Sequence, residues 1–299
     1  MPDIPAGPQQ APRDILRDCL SLLPQRAAER ILTHLQQTIS YEPVIGIMGK
    51  TGAGKSSLCN ALFRQPVCLT HDLTACTRAP QRITLTVGGR SMTLVDLPGL
   101  GETPEHDDEY LALYKTLLAE LDLVIWVLRA DERARAMDIA THRTLTEYGA
   151  DPSRFLFVLS QADRVPPPPD ATEPPGVITA GQQLSLAVLC AQAAGQFPSS
   201  FPVMAVSAHT GHNLPAFVEL MVHALPPQAG SAVYRQLKPE NKTEEAEATV
   251  RDVFGNMAGT AFDSVFNPDA YSPGWAVILR KLRRKLIRLA MRLWDRFFG

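Results

Sequence analysis

Apolar residues recur along this chain in two different rhythms, and the change from one to the other outlines the fold. Ile15, Leu16, Cys19, Leu20 and Leu23 keep helical spacing, Pro24 interrupts, and Ile31, Leu32 and Leu35 resume it. This predicts a helical hairpin ahead of the first strand. Continuous apolar runs of strand length follow at 43–48, 121–128, 155–159 and 203–206. Runs without polar alternation suit a sheet covered on both faces. Residues 83–87 and 91–95 instead alternate around Gly88-Gly89, the pattern of an antiparallel hairpin. Helical spacing occupies 55–63, 111–121, 137–148, 181–194 and 214–224. Strand and helix in alternation predict an α/β fold with a doubly wound, mostly parallel sheet and one antiparallel edge hairpin.

Three segments emerge. Residues 1–42 form an N-terminal helical segment whose first eleven residues, rich in Pro, Gln and Ala, read as disordered. Residues 43–226 hold the α/β pattern, interrupted by a proline-rich surface loop at 166–175. Residues 227–299 read as an acidic linker at 240–247 followed by a C-terminal helical region. At 299 residues and 45% apolar composition, the chain can bury a real core.

Charge and cysteine content narrow the setting. Net charge is −2, yet residues 271–299 hold eight basic residues against Asp295, a net +7 that leaves −9 on the remainder. Cys19, Cys59, Cys68, Cys76 and Cys190 are odd in number and contain no CxxC pair. That argues against a disulfide framework or zinc site and makes a reducing cytoplasm the expected location. The start, Met1-Pro2-Asp3-Ile4-Pro5, has neither a basic stretch nor an apolar h-region, and no apolar run reaches the ~18 residues of a spanning helix. The expectation is a soluble protein, or one peripheral to a membrane surface.

The chemistry begins at Gly49-Lys50-Thr51-Gly52-Ala53-Gly54-Lys55-Ser56, which fits GxxxxGK[ST] between an apolar strand and a helix. Glycines let backbone N–H groups turn inward around a phosphate, and the helix adds the positive end of its dipole. Lys55 is placed for the β- and γ-phosphates, Ser56 for Mg²⁺, and Ser57 follows as a further nucleotide-binding residue in the helix that begins near Lys55. The motif predicts binding of a nucleoside triphosphate.

Three further motifs follow in order. Asp96-Leu97-Pro98-Gly99 ends the hairpin's second strand; an Asp there can hold Mg²⁺ through water, and Gly99 can offer its N–H to the γ-phosphate. Ser160-Gln161-Ala162-Asp163 ends the next strand but one. Guanine presents N1–H and an exocyclic amine, and the Asp163 carboxylate can accept from both, with the Gln161 stem along the base. Val206-Ser207-Ala208 follows the last strand, where its backbone can meet the guanine O6. The expected ligand pair is GTP and GDP.

These residues resemble the GTPase superfamily, within it the class that includes TrmE, Era and septins. Residues 51–63 carry the closest likeness, and Cys76-Thr77-Arg78 is similar to the threonine-arginine pair in the first switch of Era-like proteins. The run from Trp126 to Arg133 with Gln161-Ala162-Asp163 is similar to GTPases of bacterial prophage and genomic islands. The likeness covers residues 43–226 and implies a P-loop G domain. By it Thr77 is the switch threonine, binding Mg²⁺ and γ-phosphate; Thr70 and Thr74 compete, since spacing does not separate them. Lys55, Thr77 and Gly99 form the expected catalytic set, and Ser56, Thr77 and Asp96 the metal set.

Two departures bear on mechanism. Ser160 and Gln161 replace the usual Asn-Lys before the guanine aspartate, which touches affinity more than base choice. Leu100 stands where Ras-like proteins carry a glutamine that orients the attacking water, and an aliphatic side chain cannot do so. Hydrolysis is therefore expected to be slow alone, or completed by homodimerisation through the G domain or by a partner. Gly52 occupies the position of the asparagine that binds potassium in some members, which argues against potassium stimulation.

From 272 to 298, Trp275, Leu279, Leu282, Leu286, Leu289, Leu293 and Phe297 form an apolar stripe, with Lys281, Arg284, Lys285, Arg288 and Arg292 mostly opposite. Three readings stand: packing on its own domain, an anionic membrane surface, or ribosomal RNA. His71 and His106 lie near the two switches and are assigned no catalytic role; His209 and His212 follow the last motif in a polar loop.

Overall fold

The computed structural model describes residues 10–67, 80–97, 114, 116–132, 134–167, 177–267 and 270–298. The chain divides into two compact units, one of Pro43–Leu225 with Gln236–Thr243, the other of Met1–Glu42, Pro226–Arg235 and Glu244–Gly299.

The first unit is built on a six-stranded sheet of order β2-β3-β1-β4-β5-β6: β1 (Val44–Met48), β2 (Gln81–Val87), β3 (Arg90–Asp96), β4 (Leu123–Arg129), β5 (Phe155–Ser160) and β6 (Met204–Ala205). Only the edge strand β2 runs antiparallel, paired with β3 around Gly88-Gly89. The other pairings are parallel, with Ile47 beside Asp96 and Ile125, and Arg129 beside Ser160. The apolar runs become the central strands, because β1, β4 and β5 are buried on both faces. On one face Trp126, Leu128, Phe155, Phe157 and Leu159 pack with Tyr114, Leu117, Leu145, Leu186 and Phe197. Tyr114 and Leu117 come from the stretch before β4, Leu145 from α4 (Ala136–Glu147), Leu186 from α5 (Ala180–Gln196), and Phe197 caps the C-terminus of α5. Alternation sends Ile45, Ile47 and Ile125 to the opposite side, where α3 (Lys55–Leu62) and α6 (Leu214–Ala224) pack together. Residues 168–175 of the proline-rich loop lie outside the described residues.

The segment Gln236–Thr243 belongs to this unit although the α/β alternation ends before it. The last carbonyls of a helix lack intrahelical partners. Here Lys238 N–H donates to Leu62 O at 2.9 Å and Asn241 Nδ2 to Ala61 O at 2.7 Å, closing the end of α3. Leu237 forms a bridge with Phe63, and Gln236 Nε2 donates to Arg90 O at 2.8 Å.

The second unit is helical: α1 (Gln10–Cys19), α2 (Gln25–Ile39), α7 (Gly230–Gln236, as far as Arg235), α8 (Glu244–Asp263) and α9 (Pro273–Phe298). The hairpin read at 15–35 is α1 and α2. The acidic stretch read as a linker differs: Glu244, Glu245 and Glu247 form the first turn of α8, where carboxylates favour the positive end of the helix dipole. α9 packs along α8 and α1, and α2 packs on α8. Leu279, Leu282, Leu286, Leu293 and Phe297 of the C-terminal stripe are buried in this unit, as are the flanking Trp294 and Phe298. Trp294 Nε1 donates to Ser231 Oγ at 2.9 Å. Of the three readings of that stripe, packing within its own domain is the one these contacts support. Among the described residues no helix is long and apolar enough to cross a membrane.

Candidate functional site

The strand ends of β1, β5 and β6 converge on one cavity of about 650 Å³. Lys50, Gly52, Gly54, Lys55, Ser56 and Ser57 line it on one side; Gln161, Asp163 and Ala208 line it on the other. Two motifs more than 100 residues apart in the chain therefore face each other across one cavity, at the carboxyl ends of parallel strands where such sheets bind ligands.

The loop after β1 takes a path that only glycine allows. Gly49, Gly52 and Gly54 have φ of 138°, 79° and 90°. A Cβ on Gly49 would run into the carbonyl oxygen of Val127 in β4. Gly54 is the N-cap of α3, so the first amides of that helix open toward the cavity. Lys55 is 3% exposed; its Nζ donates to Gly49 O at 2.8 Å and lies 3.9 Å from Asp96 Oδ1. Asp96 is the last residue of β3 and is itself buried. Ala53 is buried under the loop, while Thr51 is exposed. Cys59, one turn into α3, is inert: burial, helped by the nearby Asp96 charge, pushes its thiol up to about 12.

Lys50 turns away from the phosphate side toward α4. Its Nζ donates to Glu132 Oε1 at 3.0 Å and Ala134 O at 2.6 Å, and lies 3.4 Å from Asp138 Oδ2. Burial opposes the charge, but the hydrogen bond to Glu132 and the Asp138 charge outweigh it and hold the amine above its ordinary range. Asp138 also accepts from the buried Trp126 Nε1 at 3.1 Å. The loop is thus tied to the start of α4 by an ion-pair cluster.

The Ser-Gln pair supplies a similar tether from β5. Ser160 Oγ lies 2.5 Å from Ala53 O and 3.1 Å from Leu128 O, with one proton to donate between them. Gln161 adopts a left-handed backbone, φ 57° and ψ 39°, which costs a non-glycine residue about 1 kcal/mol. The turn brings its Nε2 to Gly52 O at 2.9 Å. Ser160 stands where the usual motif has asparagine, a replacement that bears on affinity more than on base choice. Its hydroxyl has a hold on the phosphate loop through Ala53 O.

Ser207 does not line the cavity. It is fully buried behind it, and its hydroxyl donates to Asp163 Oδ1 at 2.5 Å. Ala162 N–H donates to Val206 O at 3.1 Å, joining the two base-side loops. Arg164, Val206 and His209 also line the cavity; sequence reasoning singled out neither Arg164 nor His209 for this site, and their place follows only from the folded loops. Thr77, its competitors Thr70 and Thr74, Gly99 and Leu100 lie outside the described residues, as do His71 and His106.

A phosphate-sized glycine cradle with a buried lysine, facing a carboxylate fixed at the far wall, has the chemistry to hold a nucleotide by its phosphates and read its base. Comparison with known proteins gives the family. Residues 44–161 match the family described as 50S ribosome-binding GTPase. YfjP of Escherichia coli strain K12 is 39% identical over 283 residues, 95% of this chain and 97% of that protein. YkfA of the same strain is 39% identical over 280 residues, 93% of this chain and 96% of that protein. The tRNA modification GTPase MnmE of Streptococcus pneumoniae strain Hungary19A-6 is 30% identical over 137 residues, 44% of this chain but 29% of that protein. Near-complete coverage of YfjP and YkfA, with the family match falling on the strands that carry the cradle, places this chain in the MMR_HSR1 family of P-loop GTPases.

Proposed function

We propose that this protein binds GTP with Mg²⁺ and hydrolyses it slowly to GDP and phosphate, acting as a switch. One observation carries the reading: Asp163, fixed by Ser207, opens onto the same cavity as Lys55 and the glycine loop. A carboxylate there accepts from both guanine donors, whereas adenine offers no such pair.

The residues divide the work. Backbone amides of 49–55 hold the phosphates, and Lys55 exchanges its hold on Gly49 O for the β- and γ-phosphate oxygens. The Lys55 charge stabilises negative charge that develops as water attacks the γ-phosphorus. The Ser56 hydroxyl and the Asp96 carboxylate are hard oxygen donors, the kind that suits Mg²⁺ with its phosphate ligands. Thr77, or Thr70 or Thr74 in its place, completes that set, and Gly99 donates its N–H to the γ-phosphate. When bound, Mg²⁺ neutralises charge on the β- and γ-phosphates.

Slow turnover follows from Leu100, which cannot orient water. A second copy meeting the nucleotide face of the G domain is the candidate source of that missing group. The test is competition at equilibrium, followed by phosphate release. GTP should displace a fluorescent guanine nucleotide while ATP does not, and Asp163→Asn should favour xanthosine triphosphate. Equal displacement by ATP and GTP would overturn the reading.

A further inference from the structure

The face of α9 opposite the buried stripe is cationic along its length. Lys281, Arg284, Lys285, Arg288 and Arg292 are all exposed, and at 1.5 Å per residue they cover about 16 Å of helix. Among the described residues none of these five has an ion-pair partner. The acids that border them are already engaged: Asp263 accepts from Arg283 Nε at Oδ1 and from Nη2 at Oδ2, both at 2.7 Å, and Asp295 accepts from Arg251 at 2.8 Å. Arg284, Arg288 and Arg292 reach only the carbonyl one turn back, at 3.3–3.4 Å, contacts near the limit of a hydrogen bond.

An apolar tip adjoins this face. Tyr271, Trp275, Val277 and Ile278 are 45, 58, 49 and 44% exposed. Ten large apolar side chains are exposed among the described residues, and these four fall within eight positions. Singly scattered exposed apolar residues need no explanation, but a cluster marks a contact surface. Val277 shares the angular sector of Arg284 and Arg288, and Ile278 that of Lys285, so tip and cations form one continuous surface.

We infer that the Tyr271–Ile278 tip and the Lys281–Arg292 face of α9 together dock this protein on an anionic lipid surface. The tip supplies side chains that enter the headgroup region, where Trp and Tyr prefer to sit. The cations lie on the lipid phosphates behind it. The helix rests on the membrane by its end and outer face, since the leucine stripe stays in the helical unit's own core. A second copy of this face is disfavoured, because a two-fold contact would set like charge against like. Nucleic acid fits less well: Val277 and Ile278 offer no stacking plane, and the aromatic residues stand at one end rather than between the cations.

Trp275 makes the test direct, being the exposed one of three tryptophans, with Trp126 and Trp294 buried. The full-length chain is mixed with vesicles of phosphatidylcholine alone or with phosphatidylserine, and with a structured RNA fragment. Binding to the serine-containing vesicles alone, with a blue shift and acrylamide protection of Trp275, is the expected result. Replacing Lys281, Arg284, Lys285 and Arg288 together by Ala should weaken it about fivefold per cation. Trp275→Ser with Ile278→Ser should weaken it at least tenfold, and both variants should melt as the parent does because all six side chains are exposed. The proposal is overturned if the parent chain ignores anionic vesicles, or if the tip variant binds them as the parent does. It is equally overturned if the cation variant loses RNA binding while vesicle binding persists.

Discussion

Ser207 holds Asp163 from behind: its hydroxyl donates to Oδ1 at 2.5 Å, across 44 residues of chain. The same Oγ accepts from Thr210 N–H at 3.1 Å, so the hydroxyl's proton is directed at the carboxylate. Ser207 is fully buried, and its position is set by the turn after β6, where its own N–H donates to His212 O at 3.1 Å. A carboxylate fixed before the base arrives loses less freedom on binding, and that is where specificity is gained.

Ser207→Ala should therefore weaken GTP and GDP alike, by roughly tenfold, the scale of one hydrogen bond to a charged group. It should leave the residual affinity for ATP unchanged. Titration calorimetry with the three nucleotides checks this; an unchanged GTP affinity would remove Ser207 from the base site.

Lys55→Ala and Ser56→Asn should each lower triphosphate affinity at least a hundredfold. They differ in stability. The Lys55 change takes a cation from beside the buried Asp96, a loss on the order of 1–3 kcal/mol, whereas Ser56 is only half-buried. Denaturant titration beside calorimetry separates lost binding from lost fold. Wild-type affinity in folded Lys55→Ala would defeat the proposed role.

Much of this was legible in the sequence, and what was not shares one cause. The apolar runs at 121–128 and 155–159 could only be buried strands, and β4 and β5 are buried throughout, save the last residue of β4. The phosphate loop announces itself through three glycines whose conformation other residues avoid. The hold of Ser160 on Ala53 spans 107 residues, and that of Asn241 on Ala61 spans 180. Neither serine nor asparagine carries a periodic signal, so only the folded topology brings them to their partners. The stripe of α9 was visible, but its partner was not: Ala246, Val250, Phe254, Ala258 and Phe262 of α8 keep helical spacing, yet spacing does not say which helix covers which.

Lys50 is predicted to be structural. Lys50→Met removes the cation that faces Glu132 and the 7%-exposed Asp138. Lys50 and Glu132 are each about a third exposed, so the loss should be about 1–2 kcal/mol. Nucleotide affinity should fall less than fivefold. A loss as large as that of Lys55→Ala would instead place Lys50 on the phosphates.

His142 should make the protein acid-sensitive. It is buried among Phe155, Phe157, Phe197 and Trp126, with ring centroids at 5.4, 5.1, 5.8 and 5.9 Å. Its Nε2 has no partner among the described residues, and burial holds its pKa below the usual value. As pH falls below about 6.5, the unfolded chain takes up the proton before the folded one does, so stability declines with falling pH. His142→Leu should flatten melting temperature across that window. His212, also lowered by burial, should leave a smaller remnant of the slope.

The packing of α8 on α9 predicts opposite signs for glycine substitutions of the same type. Gly255 and Gly259 lie one turn apart on α8 and let α9 approach closely. A Cβ on Gly255 would strike Met291 Cγ, whereas on Gly259 it would sit 2.8 Å from Ile287 Cδ1 and 3.0 Å from an Arg283 terminal nitrogen. At Gly274, near the start of α9, a Cβ meets nothing within 4 Å. Alanine favours a helix over glycine by about 1 kcal/mol, while overpacking a filled interface costs about 1–3 kcal/mol. Gly274→Ala should thus stabilise, by a few tenths to about 1 kcal/mol. Gly255→Ala should destabilise, because Met291 Cγ sits near its own backbone and cannot swing aside. Gly259→Ala should fall between them, since Ile287 Cδ1 and the Arg283 guanidinium are chain ends that can yield. Urea titrations of the three variants give the order directly, and a stabilised Gly255→Ala would mean that α8 and α9 do not pack this closely.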